Sequence, residues 1–181
     1  PSKEIVLLHH NDTDGLTSGS VLYKAFLDEG YKVQRFSLEK PYPKVLEKLF
    51  AENSGKLIVF ADFAGKIAPL ICKLNNDRNL VILLDHHKAE KSVSDSVINL
   101  DPDLYGLKGD RDISASVTCW YFACHLNPAN RKMAHIAALG GIADFFYLDW
   151  QVHGENWKCV EEAVKQGTMR IEKKDGKDVF Y

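Results

Sequence analysis

The sequence has four cysteines, Cys72, Cys119, Cys124 and Cys159, yet no Cys-x-x-Cys pair and no zinc-ribbon spacing. That excludes a cysteine-built structural zinc site. Isolated thiols of this kind read as buried or incidental groups in a reducing compartment, so a cytoplasmic location is expected. Long apolar runs are missing as well; the unbroken ones extend over a few residues, too short to cross a bilayer. The opening Pro1-Ser2-Lys3-Glu4 has no signal-peptide pattern and reads as a processed or trimmed start. An excess of positive charge is also lacking: 23 Lys and Arg stand against 25 Asp and Glu, a formal net charge of −2. The chain as a whole is therefore not a basic nucleic-acid module, and any grip on a polyanion must be local. There is no internal repeat and no low-complexity segment.

What is present suits one domain, or one domain with a short appendage: 181 residues, 45% of them apolar and 27% charged. The pattern alternates strand and helix. Short apolar runs, Ile5-Val6-Leu7-Leu8, Leu57-Ile58-Val59-Phe60, Val81-Ile82-Leu83-Leu84 and Val97-Ile98-Asn99-Leu100, read as strands. Residues 31–38 alternate, with Val33, Phe36 and Leu38 as inward positions. Helical spacing is seen over 16–29, over 42–53 with Val45, Leu46, Leu49 and Phe50 on one face, and over 66–75. After Asp101-Pro102 a loop rich in Asp, Gly and Pro is expected to 112. Helices follow near 114–126, opened by a Ser114-Ala115-Ser116 cap, then near 129–147 and 154–166. Asp175-Gly176, between two short apolar stretches, predicts a β-hairpin tail. The expected fold class is α/β: a mostly parallel sheet with helices on both faces, followed by a helical C-terminal segment.

In such sheets ligands bind beyond the carboxyl ends of the strands. His10, Asp12 and Asp14 follow the first strand, Asp62 follows the Leu57–Phe60 run, and Asp85-His86-His87 follows the Val81–Leu84 run. Asp144 interrupts the apolar Ala137–Ala143 and Phe145–Leu148 stretches, where a carboxylate is expected to be buried and in need of a partner. Each residue has a plain structural alternative. Asp12, Asp14 and Asp62 could cap helices, and His86 and His87 could be surface or core histidines. Gathered on one edge, however, the carboxylates would repel one another unless cations neutralised them. A mixed oxygen and imidazole set suits Mn²⁺, Co²⁺, Fe²⁺ or Mg²⁺ better than structural zinc. Two such ions activate water and clamp a phosphate during in-line displacement, so metal-assisted phosphoester hydrolysis is the leading expectation. The pleat sends neighbours to opposite faces, so one of His9 and His10 should belong to the site; motif spacing favours His10.

These motifs resemble the DHH phosphoesterase superfamily, named for the tripeptide found here as Asp85-His86-His87. The likeness runs from about residue 5 to 148: His10-Asn11-Asp12-Thr13-Asp14-Gly15, the Asp of Phe60-Ala61-Asp62, the tripeptide, and Gly141-Ile142-Ala143-Asp144. The last of these leans toward the RecJ-like branch. The resemblance implies two divalent ions, with Mn²⁺ foremost and Mg²⁺ or Co²⁺ as alternatives. His10, Asp12 and Asp62 would hold one ion. Asp14, Asp62, His86 and Asp144 would hold the other, Asp62 bridging. It implies that Asp85 fixes the His86 imidazole, that His87 assists at the phosphate, and that Lys88 and Arg111 are candidate phosphate-binding residues. The implied activity is hydrolysis of phosphodiesters in single-stranded nucleic acid or short oligonucleotides. Alternatives are a phosphatase for pyrophosphate, polyphosphate or a nucleotide bisphosphate, and a non-catalytic binding module. Residues 1–150 would form the catalytic lobe and 151–181 a linker helix and hairpin. The Gly-rich motif of the family's second, substrate-binding lobe (DHHA1) does not occur, which points to a missing lobe or a partner protein.

Overall fold

The computed structural model describes residues 3–149 and 151–181, and for 145–149 the helical backbone alone. The expected start at Pro1, the lobe boundary at 150 and the apolar side chains flanking Asp144 on its C-terminal side lie outside the described residues. The chain runs β1 (Glu4–His10), α1 (Thr13–Asp28), β2 (Lys32–Leu38), α2 (Pro43–Glu52), β3 (Leu57–Ala61), a 3₁₀ turn Gly65–Ile67, α3 (Ala68–Asn75), β4 (Leu80–Leu84) and β5 (Val97–Asn99). A 3₁₀ turn Pro102–Tyr105, α4 (Ala115–Leu126), a 3₁₀ turn Pro128–Met133, α5 (Ala134–Asp149), α6 (Gly154–Lys165), β6 (Ile171–Lys174) and β7 (Lys177–Phe180) complete it.

The first five strands form one sheet in the order β2-β1-β3-β4-β5, every pairing parallel. Alternate residues of each strand feed two cores. Val6, Leu8, Ile58 and Phe60 pack with Leu46, Phe50 and Ile71 beneath α2 and α3. Ile5, Leu7, Val59 and Leu84 pack with Leu22, Phe26 and Cys119 beneath α1 and α4. Burial on both faces is why the strands read as short, continuous apolar runs. A third cluster, built from α1, α4, α5 and α6 around Trp120, Met133 and Val160, carries the C-terminal helices and also receives Ile171 and Phe180 of the hairpin. The expected hairpin turn is present, Asp175 and Gly176 both taking positive φ (51° and 77°), as a two-residue turn of this hand requires.

Three expectations need correction. β2 is the sheet's edge strand, and its proposed inward set does not hold: Phe36 is exposed, while Val33 and Leu38 are half-buried against opposite cores. An edge strand lacks the second neighbour and the full helix cover that impose a clean alternation. Val45, expected on the buried face of α2, is also exposed. Around 129 the expected helix begins as a 3₁₀ turn, and α-helix starts at Ala134.

Strand order places the site. β1 has β2 on one side and β3 on the other, so the reversal of winding lies between β1 and β3, where open α/β sheets hold ligands. Above that point α1, α4 and α5 approach closely because Gly140 has no side chain. A Cβ there would lie 2.3 Å from Thr17 Oγ1, 2.4 Å from Ser116 Oγ and 2.6 Å from Asp14 Oδ1. Gly140→Ala is therefore expected to cost about 1–3 kcal/mol of stability through overpacking, read as a lowered midpoint in urea; an unchanged midpoint would contradict this packing.

Candidate metal centre

Three groups of ligand-type atoms, each mutually within 4.8 Å, form at the carboxyl edge of the sheet: His10, Asp12 and Asp62; Asp14, His86 and Asp144; and Asp62, His86 and His87. Asp62 is common to the first and third. The loops that supply them are set by local chemistry. Asp12 caps α1, its Oδ1 accepting from the Gly15 amide at 2.8 Å, while Oδ2 turns to His10 Nδ1 at 2.8 Å. Capping and site membership are thus one conformation, not alternatives. A Cβ on Gly15 would lie 2.4 Å from His10 O, so this turn needs glycine. Asp62 has φ 64°, a left-handed conformation that aspartate tolerates better than most residues and that tends to be retained at functional sites. Its amide donates to Leu84 O at 2.9 Å, fixing the turn to the end of β4.

His9 and His10 separate as the pleat demands. His9 is fully buried beneath Gly19, its Nδ1 2.7 Å from His10 O, and burial holds its imidazole below the usual range. His10 faces the carboxylates, with Nδ1 3.5 Å from Asp62 Oδ2. Asp14 is buried at the start of α4, accepting from the amides of Ala115 (2.8 Å) and Ser116 (3.0 Å). The positive end of that helix stabilises its charge. Ser114 caps the same helix as expected, accepting from the Val117 amide. Asp144 is less enclosed than expected: its side chain is 29% exposed, with Oδ2 3.7 Å from His86 Nε2.

The tripeptide divides its work differently from the reading given by resemblance. His86 presents Nε2 to Asp62 Oδ1 (3.5 Å) and Asp14 Oδ2 (3.9 Å), but its Nδ1 is anchored by the Gly109 carbonyl at 2.6 Å. Asp85 bonds to the next ring instead. Its Oδ1 lies 2.8 Å from His87 Nδ1 and accepts from the amide of His86, and its Oδ2 accepts from the Gly65 amide. Asp85 is buried, and the Nδ1 of the His86 ring is already taken by the Gly109 carbonyl. Neither candidate phosphate-binding residue is turned into the cluster. Lys88 pairs with Asp103 at 3.2 Å, and Arg111 is exposed, with no ion pair among the described residues.

Sequence reasoning missed the Gly109 carbonyl and Asp101, which is fully buried at the end of β5; the Ser114-Ala115-Ser116 start resembles a segment that family members place near the site, but its amide bonds to Asp14 were not foreseen. The strand-end rule that singled out Asp62 reaches Asp101 too; an Asp-Pro in a Gly-rich stretch reads first as a turn, and it is also that.

The electrostatics ask for cations. Burial, reinforced by the charges of Asp14 and Asp12, holds the Asp62 carboxyl well above the ordinary range. Burial alone would lower the His86 imidazole; the hydrogen bond with Asp62 and the charges of Asp14 and Asp144 reverse this and hold it high. Asp144 is also raised by burial. Asp62 Oδ2 is buried without a hydrogen-bond partner, and the ring nitrogens of His10 and His86 are turned toward carboxylates. Lone pairs left in this way, on oxygen and imidazole nitrogen, fit hard or borderline divalent ions. In metal-free protein the folded state keeps protons on Asp62 and His86 that the unfolded chain releases. With Asp62 raised to about 8 and His86 to about 10, stability is therefore expected to fall as pH rises from about 4 through about 10. Melting curves in chelator should show that fall, and divalent metal should flatten it. Asp12 and Asp85, held below the usual range, act with opposite sign and only in the acid region.

The N-terminal domain of the DHH family is matched over residues 4–141. The chain belongs to the DHH family. A protein of Methanocaldococcus jannaschii, itself described as uncharacterized, is 31% identical over 172 residues, covering 92% of this chain and 38% of that protein. Among solved structures, RecJ of Thermus thermophilus in complex with Mn²⁺ superposes with a TM-score of 0.65 at 22% identity, over 90% of this chain and 24% of that one. A manganese-bound exonuclease RecJ gives 0.66 at 21% identity, over 90% and 43%. At these identities the structures show a shared DHH fold. The chain spans less than half the length of each of these proteins. Among the described residues no helix is long and apolar enough to cross a membrane.

Proposed function

We propose that this chain is the catalytic lobe of a divalent-metal-dependent phosphoesterase that hydrolyses phosphodiesters of single-stranded nucleic acid or short oligonucleotides. The carrying observation is Asp62: a buried carboxylate that shares one group with His10 and Asp12 and another with His86, and that keeps an oxygen without a hydrogen-bond partner. On this reading His10, Asp12 and Asp62 hold one ion, and Asp14, Asp62, His86 and Asp144 hold the second. Mn²⁺ is the metal in the two RecJ structures and the first candidate here. Bound ions would supply Lewis-acid chemistry, lowering the pKa of water and offsetting charge on phosphoryl oxygens.

The chain's own residues do the rest. Gly109 O locks the ring of His86 with Nε2 inward. The α4 amides hold the Asp14 carboxylate aimed at the same point. His87 is half exposed, with Nδ1 committed to Asp85, so its other ring nitrogen is the edge open to substrate. The hydrogen bond that its Nδ1–H donates to Asp85 raises the imidazole, favouring the protonated ring that can donate to a departing oxygen. Residues 1–150 then form the catalytic lobe, and α6 with the β6–β7 hairpin leads toward a substrate-gripping lobe, in the same polypeptide or in a partner. The four free thiols fit a reducing cytoplasm.

Single-stranded oligonucleotides, dinucleotides and pyrophosphate, assayed side by side with Mn²⁺, test the substrate class. Preferential cleavage of an oligonucleotide or dinucleotide supports it; preference for pyrophosphate transfers the site to small-molecule phosphatase chemistry.

A further inference from the structure

The segment 108–116 holds two of the ligand-type residues at once. Near its start Gly109 O anchors His86 Nδ1 at 2.6 Å, and at its end the amides of Ala115 and Ser116 hold the Asp14 carboxylate. Helix α6 grips the segment between those points. Asp112 O accepts from the amides of Glu155 (2.7 Å) and Asn156 (3.4 Å), and a Cβ on Gly154 would lie 2.5 Å from the same oxygen. A side chain completes the grip: Asn156 Oδ1 accepts from the Ser114 amide at 2.9 Å, with both residues buried. Helix α5 leaves room for this bond because residue 141 is glycine. A Cβ there would lie 3.0 Å from Asn156 Oδ1 and 3.3 Å from Ser114 Oγ. The Gly-Ile-Ala-Asp motif that supplies Asp144 thus also opens the space that Asn156 uses.

Ser114 spends its other polar groups on α4. Its carbonyl accepts from the amide and the hydroxyl of Thr118, and its hydroxyl accepts from the Val117 amide. Its own amide is met by Asn156. Loss of that acceptor leaves a buried N–H unmet, a state that native backbone avoids by shifting to another partner. A shift at Ser114 carries the next two amides, those that hold Asp14.

We propose that Asn156 is a positioning residue for Asp14. By holding the Ser114 amide it sets the first turn of α4, so that Ala115 and Ser116 aim the Asp14 carboxylate at His86 and Asp144. The consequence for metal binding rests on the two-ion reading of the site; the hold on the α4 amides does not.

Asn156→Ala removes the acceptor. Asn156→Asp keeps an oxygen in its place and gives up only Nδ2, which has no hydrogen-bond partner among the described residues. Amide hydrogen exchange, read by NMR on chelator-stripped protein, tests the hold directly. In Asn156→Ala the Ala115 and Ser116 amides should lose protection by about 10-fold, while the amides of β1 and β3 exchange as in wild type. Asn156→Asp should keep that protection. In Mn²⁺ titrations Asn156→Ala should bind one of two ions about 10–100-fold more weakly, the range for loss of an outer partner, and the other unchanged. Asn156→Asp should bind both at least as tightly as wild type, since its added charge favours cations. Unchanged protection of Ala115 and Ser116 in the alanine variant overturns the proposal, as does protection lost equally throughout β1 and β3. An Asp variant as impaired as Ala, or an alanine variant with wild-type affinity for both ions, overturns it too. Wild type that takes up no Mn²⁺ defeats the two-ion reading, and the exchange rates still decide the role of Asn156. If the alanine variant does not fold, Asn156→Leu, close in shape and without an acceptor, is read in its place by the same outcomes.

Discussion

Asp62→Ala is expected to lower metal-dependent phosphoester hydrolysis by at least about 10³-fold. It should also reduce the number of tightly bound divalent ions per chain. Among the acidic ligands Asp62 alone stands in groups on both sides of the cluster, with His10 and Asp12 on one side and His86 and His87 on the other. Removing it leaves three carboxylates, Asp12, Asp14 and Asp144, with nothing to draw their ions together, so both positions should weaken at once. Isothermal titration of chelator-stripped protein with Mn²⁺ measures this directly. Stoichiometry and affinity equal to wild type would remove Asp62 from the bridging position. The fold should survive, because the turn at 62 is held by its backbone bond to Leu84 and by the buried strands around it.

His87→Ala should separate chemistry from metal binding. A positioned general acid contributes about 10²–10⁴-fold, and kcat should drop by a factor in that range. Mn²⁺ binding should stay close to wild type, since His87 is 60% exposed and anchored to Asp85, outside the two groups assigned to the ions. A His87→Ala protein that loses metal as Asp62→Ala does would show that His87 is a ligand, which its proximity to Asp62 and His86 makes a real alternative. A protein with unchanged kcat would show that the leaving oxygen needs no help from this ring.

The sheet was readable because β1, β3 and β4 are buried on both faces and so appear as compact apolar runs; the Val81–Leu84 run lies within β4, Leu80–Leu84. β2, at the edge, carries mixed side chains, and its facing could not be read from alternation. The ligand-type residues were readable for a related reason. A parallel sheet delivers the ends of β1, β3 and β4 to one edge, so His10, Asp62 and Asp85-His86-His87 had to converge. What stayed hidden depends on contacts between distant positions. Asp14 meets the Ala115 amide across 101 residues, and His86 meets Gly109 O across 23. No local pattern announces either. The assignment of Asp85 to the wrong imidazole has the same origin: which of two adjacent rings sits above a buried carboxylate depends on the twist of the turn, not on residue type. Gly140 belongs here as well, being a helix residue whose missing side chain is explained by Thr17 and Ser116 on two other helices.

The most direct test of the central claim is anomalous diffraction at the manganese edge from crystals grown with Mn²⁺. Two peaks are predicted, one beside His10 and Asp12 and one beside Asp14, His86 and Asp144, with Asp62 between them. No peak at this edge of the sheet, or manganese bound without contact to Asp62, would contradict the account.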